Sequence, residues 1–210
     1  MSGVSELKKE YFKDTARLSP AANHFLKHGY YTNALPGTKT YYDYWDTEKQ
    51  RCLYGYEAGG TKITGFHYFY LNYCRMERAV EETQPDGSIL NRRENSFPSF
   101  YDGDFHYYNA IDKARRENKH MSVLKARRKG FSYKAASMLI RNYYFQRGSR
   151  GYVFASQKEY LIGEMNKQSG YRKNVNGALV ELGMKSQIIG VSLKDDPDKV
   201  RGKAGDLVFF

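Results

Sequence analysis

The chain has 210 residues, 40% hydrophobic and 16% aromatic, which is too apolar for a disordered segment and enough for one good core, or for one core with an N-terminal appendage. Its net charge is +11, from 34 Lys and Arg against 23 Asp and Glu. No apolar run approaches the roughly 20 residues that cross a bilayer, and the polar opening MSGVSELKKEYFKD is unlike a secretory signal.

The charge is concentrated. Residues 113–150 hold twelve Lys or Arg and one acid, Glu117, so the whole excess sits there. Such a cluster attracts phosphate, of a nucleotide or of a nucleic-acid backbone. A solvated basic face without a ligand is the plain alternative. Cys52 and Cys74 fit no metal spacing and read as reduced thiols.

In chain order, residues 1–35 read as a polar helical lead, with helices over Ser5–Leu18 and Pro20–His28. Pro36-Gly37 marks a turn. Residues 38–75 are dense in aromatics (TYYDYW, ITGFHYFYLNYC), and their poor alternation predicts short strands, then a compact helix or strand near His67–Cys74. Val80–Thr83 and Ser88–Arg92 flank Pro85-Asp86-Gly87, a hairpin signal. Phe97–Asp104 reads as a loop and Phe105–Lys119 as a helix.

From residue 121 the pattern changes. Met121–Leu124 reads as a buried strand, KARRKGFS as a loop and Ser132–Arg147 as a helix ended by Gly148. Lys134, Ser137 and Arg141 form a narrow polar stripe on that helix, which is otherwise apolar and expected to be mostly buried. Gly151–Ala155 is a second strand, and Ser156 with Glu159 forms a capping box opening a helix to about Gln168. Gln187–Leu193 and Asp206–Phe210 are further strands. This alternation predicts an α/β fold with a mainly parallel sheet.

The usual phosphate loop, G-x-x-x-x-G-K-[ST], joins a strand to a helix. Its amides wrap phosphate, its Lys reaches the terminal phosphates and its hydroxyl binds Mg²⁺. Here the eight residues are Lys125, Ala126, Arg127, Arg128, Lys129, Gly130, Phe131 and Ser132. Gly130 and Ser132 hold the second glycine and hydroxyl positions, Phe131 stands at the usual lysine and Lys125 at the first glycine. The functional reading has Lys125 supplying the ammonium from the other end of the loop; the alternative is a basic connection without nucleotide.

KARRKGFS resembles the deviant Walker A loop of large terminase subunits, the DNA-packaging motor ATPases of tailed bacteriophages. ITGFHYFYLNYC (63–74), FPSFYDGDFHYY (97–108), VFASQKEYL (153–161) and Val200-Arg201-Gly202 ahead of DLVFF resemble segments of that family in the same order, covering about residues 40–210. The resemblance implies a P-loop NTPase-type sheet with flanking helices, behind an aromatic-rich α+β region. The implied layout is a helical lead over 1–36, that α+β region over 37–112, and an incomplete ATPase core over 113–210. It implies ATP and Mg²⁺ as cofactors, with Lys125 and Arg201 in catalytic roles and Lys125–Ser132 around the phosphates. Ser132 would be the Mg²⁺ hydroxyl, and Phe97, Tyr101 and Tyr107 candidates on the adenine side. Implied partners are double-stranded DNA, a portal protein and a small terminase subunit, in a ring oligomer without membrane contact in the cytoplasm of an infected bacterial host.

One departure matters: in the family, acidic residues follow the strand resembling LVFF, and here the sequence ends at Phe210. The chain is therefore expected to be truncated and inactive alone. Another loop-containing ATPase, such as a helicase, fits less well because Phe131 replaces the lysine. A non-enzymatic nucleic-acid-binding module remains the alternative from a different class. His24 and His28, i and i+4, read as surface residues rather than metal ligands, and His67 as a packing residue.

Overall fold

The computed structural model describes residues 12, 14–84, 88–125, 130–155, 167–168, 171–175, 178–182, 184, 186–193 and 196–209. The chain divides into two compact units, Met1–Tyr133 and Lys134–Phe210.

In the first unit, a 3₁₀ turn (Thr15–Leu18) leads into α1 (Pro20–His28). Pro20 begins α1 as expected, since its missing N–H costs nothing at a helix start. Ser19 gives no side-chain cap. Asn72 caps the helix instead: its Oδ1 accepts from the Ala21 and Ala22 amides at 2.9 and 3.2 Å, and its Nδ2 donates to Leu18 and Tyr68 carbonyls at 3.0 Å each.

The aromatic stretch after Pro36-Gly37 is where sequence and structure part. The expected strands there are a helix, α2 (Lys39–Tyr54). Aromatics favour strands only when a pleated surface receives them. Here Thr38 caps the helix by accepting from the Tyr41 amide at 3.3 Å, and Tyr41, Tyr44, Trp45, Glu48 and Cys52 fall at helical spacing on the inner side. Short strands β1 (Tyr56–Ala58) and β2 (Thr61–Ile63) then pair antiparallel.

Helix α3 (Gly65–Tyr73) is the core of this unit, with Gly65–Asn72 buried throughout. A Cβ at Gly65 would collide with the Cys52 carbonyl and lie 2.8 Å from Leu53 backbone, so glycine lets α2 and α3 approach. His67 is fully buried, stacked between Phe100 and Tyr108 at 5.3 and 4.9 Å, a packing role as expected. The hairpin is present as β3 (Met76–Thr83) and β4 (Ile89–Ser96), in register from Met76–Ser96 to Thr83–Ile89. Its turn, 85–87, lies outside the described residues. Helix α4 (Asp102–Arg116) follows the loop at Phe97.

Met121–Leu124 is not a strand. It is irregular and exposed, with Leu124 fully in solvent. A four-residue segment with three apolar side chains specifies a strand only where a neighbouring edge takes up its amides, and no described strand pairs with it.

Helix α5 (Phe131–Phe145) crosses the division between units. Its polar stripe turns inward: Lys134 and Arg141 are each 5% exposed, whereas Tyr133, Ile140 and Tyr144 reach solvent. The second unit is a sheet in the order β10-β5-β9-β6. Strands β5 (Arg150–Ala155), β9 (Gln187–Ser192) and β10 (Leu207–Phe209) are parallel, and all three were legible. The helix expected from Ser156 lies outside the described residues up to 166. Its expected end instead forms β6 (Lys167–Gln168), antiparallel to β9. A hairpin of β7 (Tyr171–Val175) and β8 (Ala178–Leu182) has no sequence counterpart. The result is a mixed α/β chain with a three-strand parallel sheet.

Candidate phosphate-binding loop

The candidate loop begins after the exposed segment at Leu124 and ends in the first turn of α5. Ala126, Arg127, Arg128 and Lys129 lie outside the described residues. Lys125, Gly130, Phe131 and Ser132 are described, and their arrangement is specific.

Gly130 has φ +66°, left-handed backbone that a residue with a Cβ adopts at a cost, and α5 starts at the next residue. The space beside it is open, since a Cβ there would meet only the Tyr70 hydroxyl at 4.0 Å. The glycine is thus demanded by the backbone turn rather than by crowding. The turn leaves the first amides of α5 at a helix start, where N–H groups lack intrahelical partners and favour an anion.

Phe131 has its own role. Its ring lies edge-on to Tyr107, with centroids 4.8 Å apart, and the Lys125 ammonium sits over it at 5.6 Å. A cation over an exposed ring gains about 0.5–1 kcal/mol. The aromatic at the usual lysine position therefore holds a lysine from the loop's other end beside the helix start. Ser132 is exposed in the first turn of α5.

Of the adenine-side candidates, Tyr107 is joined to this arrangement through Phe131. Burial, and then the Asp104 carboxylate, push its phenol up to about 12, so it stays a neutral donor. Phe97 is buried and edge-on to Phe25 at 5.8 Å, so its ring is committed to packing. Tyr101 is exposed at the N-terminus of α4. Arg201 follows the 3₁₀ turn Pro197–Val200, exposed and paired with Asp198 at 3.1 Å.

Among the described residues, no group of three or more His, Cys, Asp and Glu is placed to hold a metal. His24 and His28 lie against each other with ring centroids 4.5 Å apart and planes tilted by 38°. Cys52 is buried, Cys74 half-buried, and neither is in a disulfide. No described helix is long and apolar enough to cross a membrane.

A second constellation escaped the sequence. Buried Glu48 accepts from Tyr68 and Tyr73 hydroxyls at 2.7 and 2.6 Å and pairs with Arg51 at 2.6 Å. Burial and the Glu48 charge raise all three nearby phenols, Tyr44 to about 12 and Tyr68 and Tyr73 further. Only the α2 residues Tyr44, Glu48 and Arg51, at helical spacing, signal it in sequence; Tyr68 and Tyr73 come from another helix.

Comparison with protein-family models, with curated proteins and with solved structures yields no match to this chain.

Proposed function

We propose that Lys125–Ser132 and the start of α5 bind the phosphates of Mg-ATP, and that the chain is the ATP-binding part of a viral DNA-packaging terminase large subunit. The observation that carries this is the left-handed Gly130 immediately before α5, with Lys125 held over Phe131 beside that helix start. The ordered resemblance over residues 40–210 and the parallel sheet support a P-loop NTPase-type fold. In this reading Lys125 neutralises the terminal phosphates, Ser132 ligates Mg²⁺, and Arg127 or Arg128 contacts phosphate or couples subunits. Arg201 stabilises charge developing on the transferred phosphoryl group. The intact motor moves duplex DNA into a procapsid, as a ring working with a portal protein and a small subunit.

Calorimetric titration with Mg-ATP or a non-hydrolysable analogue tests this. Lys125→Ala should weaken binding by about tenfold or more, since one charged phosphate contact is worth roughly 1.5–3 kcal/mol. Lys119→Ala should leave it unchanged, because Lys119 is engaged with Glu117 at 2.8 Å. Equal loss in both variants, or no binding by the parent chain, contradicts the reading.

The exposed basic residues at 113–125 favour a second reading, a module that grips nucleic-acid backbone. It predicts DNA binding indifferent to nucleotide.

A further inference from the structure

Tyr107, expected on the adenine side of a nucleotide, is packed between two other rings of the first unit. Fully buried Tyr108 lies edge-on to it at 5.2 Å, and Phe131 lies edge-on at 4.8 Å. Tyr108 in turn is stacked on buried His67 at 4.9 Å and tilted against buried Tyr70 at 5.7 Å. A continuous line of rings therefore runs from the core between α3 and α4 out to Phe131. The Lys125 ammonium sits at the end of that line, 5.6 Å from the Phe131 centroid.

Lys125 is exposed, and among the described residues no carboxylate pairs with it. An unrestrained lysine samples many rotamers, and ordering it on binding costs affinity. An aromatic face restrains the ammonium without neutralising it, whereas a carboxylate partner would have to be displaced by incoming phosphate. The face restrains only if the ring is itself held. Phe131 opens α5, and its edge contact with Tyr107 ties it to the core. Phosphate charge is common to every nucleoside triphosphate and to inorganic triphosphate. A group that acts through Lys125 therefore cannot tell them apart.

Resting on the phosphate-loop reading, we propose that Tyr107 is a positioning residue: through Phe131 it holds Lys125 ready for the phosphates, and it makes no contact with the base. Recognition at this loop is then of the triphosphate, whatever base it carries.

Calorimetry of the 210-residue chain with Mg-ATP and with Mg-tripolyphosphate, which has no base, tests this. Tyr107→Leu and Phe131→Leu each remove a ring and should weaken both ligands alike, by about two- to fivefold. Tyr107→Phe keeps the ring and should restore the affinity lost in Tyr107→Leu. In a Lys125→Ala background, Phe131→Leu should cost nothing further, a result that general damage to the loop would not give. Phe131 is half-buried, so Phe131→Leu carries the test if Tyr107→Leu fails to fold by circular dichroism. Loss of Mg-ATP affinity alone in Tyr107→Leu makes Tyr107 a base contact and overturns the proposal. Equal loss in Phe131→Leu with and without Lys125 overturns it too. If the parent chain binds neither ligand, the phosphate-loop reading fails and this inference falls with it. If the parent binds both, Lys125→Ala weakens them and the folded leucine variants match the parent, that reading stands and only this inference fails.

Discussion

Phe131 stands where the proposed phosphate loop would usually carry its lysine. The ring is anchored edge-on to Tyr107 and carries Lys125 on its face, so the ammonium reaches the helix start from the opposite end of the loop. Tyr44 makes a different residue-scale prediction. Burial and Glu48 raise its phenol to about 12, above the ordinary value of 10. Between those values the folded chain keeps a proton that the unfolded chain has released, so stability falls as pH rises. Stability should hold up to about pH 10 and decline from there toward pH 12. Chemical denaturation across that range should show a shallower decline in Tyr44→Phe.

At the scale of elements, the junction of α1 and α3 rests on one side chain. Asn72 is fully buried and makes four hydrogen bonds, capping α1 and satisfying two carbonyls. Asn72→Ala strands those groups away from water and should lower stability by about 2–4 kcal/mol in urea unfolding. Sequence reading found α1, the hairpin, α4, α5 and the parallel strands, because each carries a local signal: a proline start, glycine stops, apolar runs, a turn tripeptide. It located α3 but left it open between helix and strand. It failed on α2, where the Thr38 cap and the packing of Tyr44 and Trp45 overrode strand propensity. It failed again at Met121–Leu124, since a strand is specified by its partner as much as by itself. The loop's special glycine and its lysine–aromatic swap were visible as letters. The Glu48 cluster was not, because Tyr68 and Tyr73 reach it from 20 and 25 residues away.

Across the whole molecule, the charge separates the competing readings. All of the +11 excess lies in 113–150. Duplex DNA binding through that segment should weaken steeply with salt, with a log–log slope of about −3 or steeper if it covers a few phosphates. A packaging motor adds something that a plain basic patch lacks, namely Mg-nucleotide binding at Gly130. The central claim is that backbone amides at the start of α5 receive phosphate. Amide NMR of the ¹⁵N-labelled chain, titrated with Mg-ATP analogue, reads this directly. The account predicts large saturable shifts at Gly130, Phe131 and Ser132, lost in Lys125→Ala. Shifts confined to surface lysines and arginines, with those three amides unmoved, would contradict it.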